Sequence, residues 1–180
     1  MPTFNDPNGQ PATVQLFGGK GRLNMDSRSA TRAYYLSRDD AQAYSWVNAT
    51  YDYAAGDTIL LVKNTNTTKV LVVEAVLVSG DTATEVIVHR PTTAVATPTG
   101  TAVTGVNLNG QSSLPASAVA KGDETTNSQG DIIVSARIPV NTPINLGVPG
   151  VVRLAQDQSI GVDFVTDGAA CNVTITGYYE

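Results

Sequence analysis

The chain has 180 residues, of which 42% are hydrophobic and only 15% charged. This length suits one domain whose core buries roughly 70% of the unfolded chain's surface. The formal net charge of −5 argues against free nucleic acid as a partner, since phosphate binding needs a positive surface. Because Cys171 is the only cysteine, a scaffold held by intrachain disulfides is excluded. With no signal-peptide pattern and no run of roughly 18 apolar residues, we expect a soluble protein folded in the cytoplasm, without membrane contact.

Residues 1–42 are predicted to form an irregular N-terminal arm. Long regular elements are not expected there, because the arm is interrupted by Pro2, Pro7, Pro11 and the run Gly18-Gly19-Lys20-Gly21. The first forty residues carry a formal charge of +1, which leaves −6 for the rest of the chain. A mildly basic arm on an acidic body predicts that the arm docks on an acidic surface, such as that of a neighbouring copy.

An aromatic belt follows in the segment Ala41–Tyr53. Tyr44 and Trp46 have strand spacing and should share one face, and Tyr51 and Tyr53 continue the belt. One interpretation is that these rings seal an edge of the fold. The other is an interface or a sugar-stacking platform, because Tyr and Trp are enriched at both kinds of site.

The longest apolar stretch, Lys69–Arg90, predicts the centre of the fold. Its β-branched residues favour strands over a helix, and Ser79-Gly80-Asp81-Thr82 supplies turn chemistry between two apolar runs. We expect two antiparallel neighbours joined by this short loop. The first of them should be central, because both of its faces are apolar and need cover.

Further strands are predicted at residues 58–63, 131–138, 151–154 and 159–165 and around Cys171–Gly177. In the fourth of these, Ile160, Val162 and Phe164 should point inward, and Gly161 and Asp163 outward. Residues 111–129 are predicted to be a long loop with a helical turn at 115–121. Many strands separated by long loops, without a long amphipathic helix, indicate an all-β, antiparallel two-sheet sandwich of jelly-roll type over residues 43–180.

No catalytic, cofactor or metal site is expected, so the chain is not predicted to be an enzyme. His89 is the only histidine, and it ends a predicted strand beside the cationic Arg90, which is a poor setting for a general base. One His and one Cys do not make a zinc site of ordinary ligand type. The acidic pairs Asp39-Asp40 and Asp123-Glu124 lack the calcium-loop pattern and are interpreted as solvated surface.

Several segments together resemble a known family. They are LLVKNTNTTK, LVVEAVLVSGD, VTGVNLNGQSS and the closing QSIGVDFVTDGAACNVTITGYYE. In this order they resemble the small jelly-roll head decoration (cement) proteins of tailed bacteriophages, over Gly56–Glu180. The resemblance implies a virion protein on the capsid exterior. It would bind the major capsid protein, commonly as a homotrimer at three-fold positions, and stabilise the shell against internal DNA pressure.

Two functional hypotheses follow. In the first, the protein is such a decoration protein. Arg22, Arg28 and Arg32 of the arm would then supply polar tethering, Tyr34 and Tyr35 anchoring, and Tyr44 and Trp46 would contribute to the interface. In the second, it is a carbohydrate-binding module or a phage fibre head whose stacking platform is the aromatic belt. A jelly-roll fold alone does not decide between them.

Overall fold

The computed structural model describes residues 4–5, 11–12, 15–17, 20–22, 40–91, 98–125, 130–147 and 152–180. The chain divides into two compact units, residues 1–31 and 32–180. In the first unit, two short antiparallel ladders pair β1 (Phe4–Asn5) with β2 (Pro11–Ala12) and β3 (Gln15–Phe17) with β4 (Lys20–Arg22). The sequence placed the end of the arm at residue 42, and that boundary stays a prediction.

The second unit is an all-β fold with two antiparallel sheets, as predicted. Its described strands are β5 (Ala43–Tyr53), β6 (Thr58–Asn64), β7 (Leu71–Gly80), β8 (Thr84–Arg90), β9 (Thr101–Val103), β10 (Val106–Asn107), β11 (Ala118–Glu124), β12 (Asp131–Ile138), β13 (Ile144–Asn145), β14 (Val152–Leu154), β15 (Ser159–Phe164) and β16 (Gly168–Tyr179). Sheet I has the order β10-β5-β16-β7-β13, with β14 also paired to β7. Sheet II has the order β12-β8-β15-β6-β11-β9. The jelly-roll topology stays a prediction.

The two sheets share one hydrophobic core. Sheet I contributes the inward residues of its long strands, among them Trp46 and Ile175, and sheet II contributes residues such as Leu60, Val162 and Phe164. These side chains are fully buried, and each such burial stabilises the fold by about 1.5–3 kcal/mol. The core therefore holds the two sheets face to face as a sandwich.

The apolar stretch predicted as a hairpin is split between the sheets. Strand β7 lies in sheet I against β16, while β8 lies in sheet II between β12 and β15. The predicted pairing of these two strands is therefore wrong. The turn at Asp81–Thr82 carries the chain from one sheet to the other, and the amide of Asp81 donates to the carbonyl of Ala170. Each strand buries its apolar face in the shared core. Two strands in facing sheets can do this as well as two strands paired in a hairpin.

The strands predicted from strong residue patterns are confirmed. The prediction of a long loop with a helical turn at 115–121, in a segment with a weak pattern, is wrong. The alternation in β16 holds, because Cys171, Val173 and Ile175 are buried while Asn172 is exposed. The predicted loop with a helical turn instead contains β11, which pairs with β6 along almost its whole length. Small and polar residues fill β11, so its strand character comes from its partner and not from its own composition.

Candidate interaction surface

Most of the arm residues predicted to make contacts lie outside the described residues. These are Arg28, Arg32, Tyr34 and Tyr35. Arg22 lies in β4, where its backbone is opposite Gln15. Their roles in tethering and anchoring therefore stay predictions.

The prediction that Tyr44 and Trp46 contribute to an exposed interface is wrong for the described sandwich. The two residues do share a face, but it is the inner one, and they are 1% and 0% exposed. Tyr44 packs edge-on against Tyr179, with 5.7 Å between ring centroids, and burial raises the pKa of its hydroxyl. The rings are core residues because β5 turns this face towards sheet II. A sugar or a partner has no access to them.

Tyr53, a third ring of the proposed sugar-stacking platform, is also buried in the core. Tyr53 is 2% exposed and packs edge-on against Phe164, with 5.1 Å between centroids. The side chain of Tyr51 lies outside the described residues. Three rings of the belt are buried in the core, as the interpretation of a seal requires, while their position at an edge of the fold stays a prediction.

Part of the outer face of sheet I is a surface patch without ionisable side chains, which we call the neutral face. Beside it on the same sheet lie Glu74 and Arg153, and Ala43, Val72 and Tyr178 form a separate buried cluster. The neutral face consists of eleven outward residues on five strands: Ser45, Val47, Ala49, Ala75, Leu77, Ser79, Val106, Asn145, Asn172, Thr174 and Thr176. Their inward neighbours on the same strands are buried in the core. A surface of this composition can bind a partner without desolvating a charge.

The strand register sets the geometry of the neutral face. One row crosses the sheet with Val47 opposite Thr174, Thr174 opposite Leu77, and Leu77 opposite Asn145. Val47 and Leu77 are 53% and 40% exposed, although both are large aliphatic residues. With ~4.8 Å between strands and ~3.4 Å per residue, the face covers roughly 270 Å². It is a flat apolar and hydroxyl surface large enough to form the centre of an interface.

In sheet II the central strands β15 and β6 are buried on both faces along their whole length, whereas in sheet I burial on both faces is limited to the end that holds Ala43, Val72 and Tyr178. Strand β15 buries every residue, including Gly161 and Asp163, which were predicted to point outward. Strand β6 is likewise buried along its whole length. The exposed residues of sheet II lie instead on its other strands, such as β8, β11 and β12.

A buried polar pair lies on sheet II. His89 and Asp163 are both 0% exposed, and Nε2–H of the imidazole donates to Oδ1 of the carboxylate at 2.9 Å. The amide of Gly130 donates to Nδ1 through a long 3.5 Å contact, so the proton shared with Asp163 lies on Nε2. The absence of a Cβ at Gly161 permits the close approach, since one would lie 2.6 Å from Nε2. Both ring nitrogens are engaged, so the pair stabilises the sheet.

A shallow cleft of about 410 Å³ opens beside the segment that the family resemblance singled out. Its lining includes Val103, Asn107, Ser112 and Leu114, and its lining residues are neither ionisable nor aromatic. The cleft therefore offers neither acid–base groups nor a stacking ring. Beside the cleft, the side chain of Asn107 accepts from the amide of Asn109 at 2.9 Å.

Sequence reasoning missed both the neutral face and the buried pair. The pair left a signal, since Asp163 is a charged residue inside an apolar strand and His89 ends another. The neutral face left a weaker one in the alternation of Asn172, Thr174 and Thr176. Within the described ranges, no group of three or more His, Cys, Asp or Glu side chains is arranged to hold a metal ion. No helix there has both the length and the apolar character needed to cross a bilayer.

Comparison of the chain with protein-family models, with curated proteins and with solved structures finds no match.

Proposed function

We propose that this protein is a structural virion protein that binds the outer surface of a tailed-phage capsid, as a homotrimer, and stabilises the shell. The observation that carries the proposal of an assembling structural protein is the neutral face, a sheet surface of aliphatic, hydroxyl and carboxamide side chains on a firmly packed sandwich. Such a surface serves association with other proteins. The family resemblance of Gly56–Glu180 supplies the kind of assembly.

The basic arm supports the same proposal. Its net positive charge, on a chain whose remainder is strongly acidic, suits it to reach an acidic patch on the shell or on a neighbouring copy. The aromatic belt does not support the sugar-binding alternative, because Tyr44, Trp46 and Tyr53 are enclosed in the core.

The test is co-sedimentation of the purified protein with undecorated, DNA-free phage shells. We expect saturable binding, and shells that resist heat or low ionic strength better after decoration. A variant with Arg22, Arg28 and Arg32 all changed to Glu should bind at least roughly tenfold more weakly, a loss of about 1.4 kcal/mol. The matched control is Arg137→Glu on β12, an exposed arginine of the sandwich. Wild-type protein that stays in the supernatant would contradict the proposal.

A further inference from the structure

We infer that the neutral face is the surface through which copies of this chain pack against one another. The inference rests on the proposed function, because it names the contact that makes the trimer. The proposed occupant is a second copy of the chain and not the capsid. The choice follows from the charge of the chain and from the position of its exposed aliphatic residues.

The charge argument concerns what two identical copies must bury. Beyond residue 40, acidic side chains outnumber basic ones by six. An interface built on a typical part of this surface would bring acid against acid, and a buried charge without a partner is strongly unfavourable. The neutral face avoids this cost, because its residues are aliphatic side chains, hydroxyls and carboxamides. Two copies of the same acidic protein therefore meet there at the lowest electrostatic cost.

The proposed trimer requires a cyclic, head-to-tail contact, because three copies related by a three-fold axis use different surfaces on the two sides of each contact. Val47 and Leu77 lie on either side of Thr174, two strand spacings apart or roughly 10 Å. If the face turns towards a three-fold axis, the β5 side of one copy meets the β7 side of the next. Val47 of one copy then contacts Leu77 of its neighbour, and Thr174 lies nearest the axis. Val106, which is 61% exposed, extends the apolar surface on the β5 side.

The area of the neutral face fits the centre of such an interface. Roughly 270 Å² is about a third of the ~800 Å² that each partner contributes to a standard interface. Depletion of charge is typical of an interface centre, while the rim is polar and takes charged residues. Glu74 provides such a rim residue, since it is exposed and the register between β7 and β16 skips it.

The experiment measures the mass of full-length protein by light scattering over a range of concentrations. We expect the wild type at about three times 18.8 kDa. The single variants Val47→Lys and Leu77→Glu should each reduce the mass threefold, to that of a monomer. In the double variant V47K/L77E the new charges attract across the head-to-tail contact, so the trimer mass should return. The matched control is Ile132→Lys, which places a lysine at a 58% exposed aliphatic position of sheet II and should leave the mass unchanged.

The outcomes separate this inference from the proposed function. A wild type that is monomeric at all concentrations, or single variants that stay trimeric, would overturn the inference. Single variants that stay trimeric but no longer sediment with shells would assign the neutral face to the capsid, which also overturns it. A double variant that remains monomeric would overturn the head-to-tail arrangement. A trimeric wild type that ignores shells would contradict the proposed function while leaving the inference standing. Circular dichroism of every variant checks that the sandwich is folded.

Discussion

The contact between Asn48 and Gly122 provides a sharp test of how the two sheets are joined. Asn48 lies on β5 of sheet I, and its Nδ2 donates to the carbonyl of Ile59 on β6 of sheet II at 2.7 Å. The register between β6 and β15 skips Ile59, so a side chain from the opposite sheet binds its carbonyl. Gly122 on β11 packs against the same carboxamide. A Cβ at this glycine would lie 2.5–2.6 Å from three atoms of Asn48.

These distances fix the expected cost of Gly122→Ala. Restoring ordinary contact, about 3.4 Å, requires Asn48 to move by about 0.9 Å. A shift of that size directed along the 2.7 Å hydrogen bond would stretch it to about 3.6 Å, too long to count as one. The loss of that bond together with the crowding should lower the free energy of unfolding by about 2–4 kcal/mol. Asn48→Ala alone should cost about 1–2 kcal/mol, because it leaves the carbonyl of Ile59 without this donor. The double variant should cost no more than Asn48→Ala, because the clashing atoms are gone.

The assay is urea unfolding followed by the fluorescence of Trp46, the only tryptophan of the chain and fully buried. The matched control is Gly147→Ala, because a Cβ at that glycine meets nothing within 4 Å. Its stability should stay close to that of the wild type. If the two single losses add up in the double variant to within ~0.5 kcal/mol, the two residues do not interact and the reasoning is refuted.

Three further changes test other parts of the sandwich. Asp163→Ala should lower the free energy of unfolding by about 2–3 kcal/mol, because it leaves the buried Nε2–H of His89 without its acceptor. Asp163→Asn should cost less, since it keeps a side-chain oxygen, and equal losses of the two variants in urea unfolding would contradict the assigned hydrogen bond. Burial, with smaller contributions from nearby ionisable groups, raises the pKa of Tyr53 from 10.0 to about 12. As the pH rises, the unfolded chain loses this proton before the folded protein does, so the stability of the wild type should fall from about pH 10 upward. Tyr53→Phe should reduce that fall, and identical curves of stability against pH for the variant and the wild type would contradict this prediction. Glu124→Ala should lower the free energy of unfolding by about 2–3 kcal/mol, because the carboxylate accepts hydrogen bonds from the amide and the hydroxyl of Thr99. An unchanged midpoint of thermal unfolding would contradict this prediction.

Residue patterns were sufficient to predict the fold class and most strands, because burial on one face leaves a period of two in the sequence. The closing strand, with Cys171, Val173 and Ile175 inward, is one such case. The pairing of strands was not predictable in the same way. The turn after Gly80 has hairpin chemistry, yet the long ladder between β7 and β16 and the shared core decide where β7 lies. Strand β11 was missed because Ala118 and Gly122 have little strand preference of their own.

The interaction surface was harder to predict than the fold, for a physical reason. Tyr44 and Trp46 stood out because aromatic residues are enriched both in cores and in interfaces, and the sequence alone does not say which face of β5 is the inner one. Val47 lies on the outward face of the same strand, and no sequence pattern identified it. Its importance depends on Thr174 and Leu77 lying beside it, and the register that brings them together involves strands far apart in the sequence.

The central position of β16 also determines when sheet I can assemble during synthesis. Tyr178 pairs with Ala43, about 135 positions earlier in the chain, and β5 and β7 are joined through β16. Until residues 168–179 have left the ribosome, both neighbours present open edges. Such distant pairings make folding slow, on the order of milliseconds to seconds once the chain is complete. The yield of native protein therefore depends on how long the edges of β5 and β7 stay unpaired. High concentrations of incompletely folded chains should favour aggregation, even though the folded sandwich is well packed.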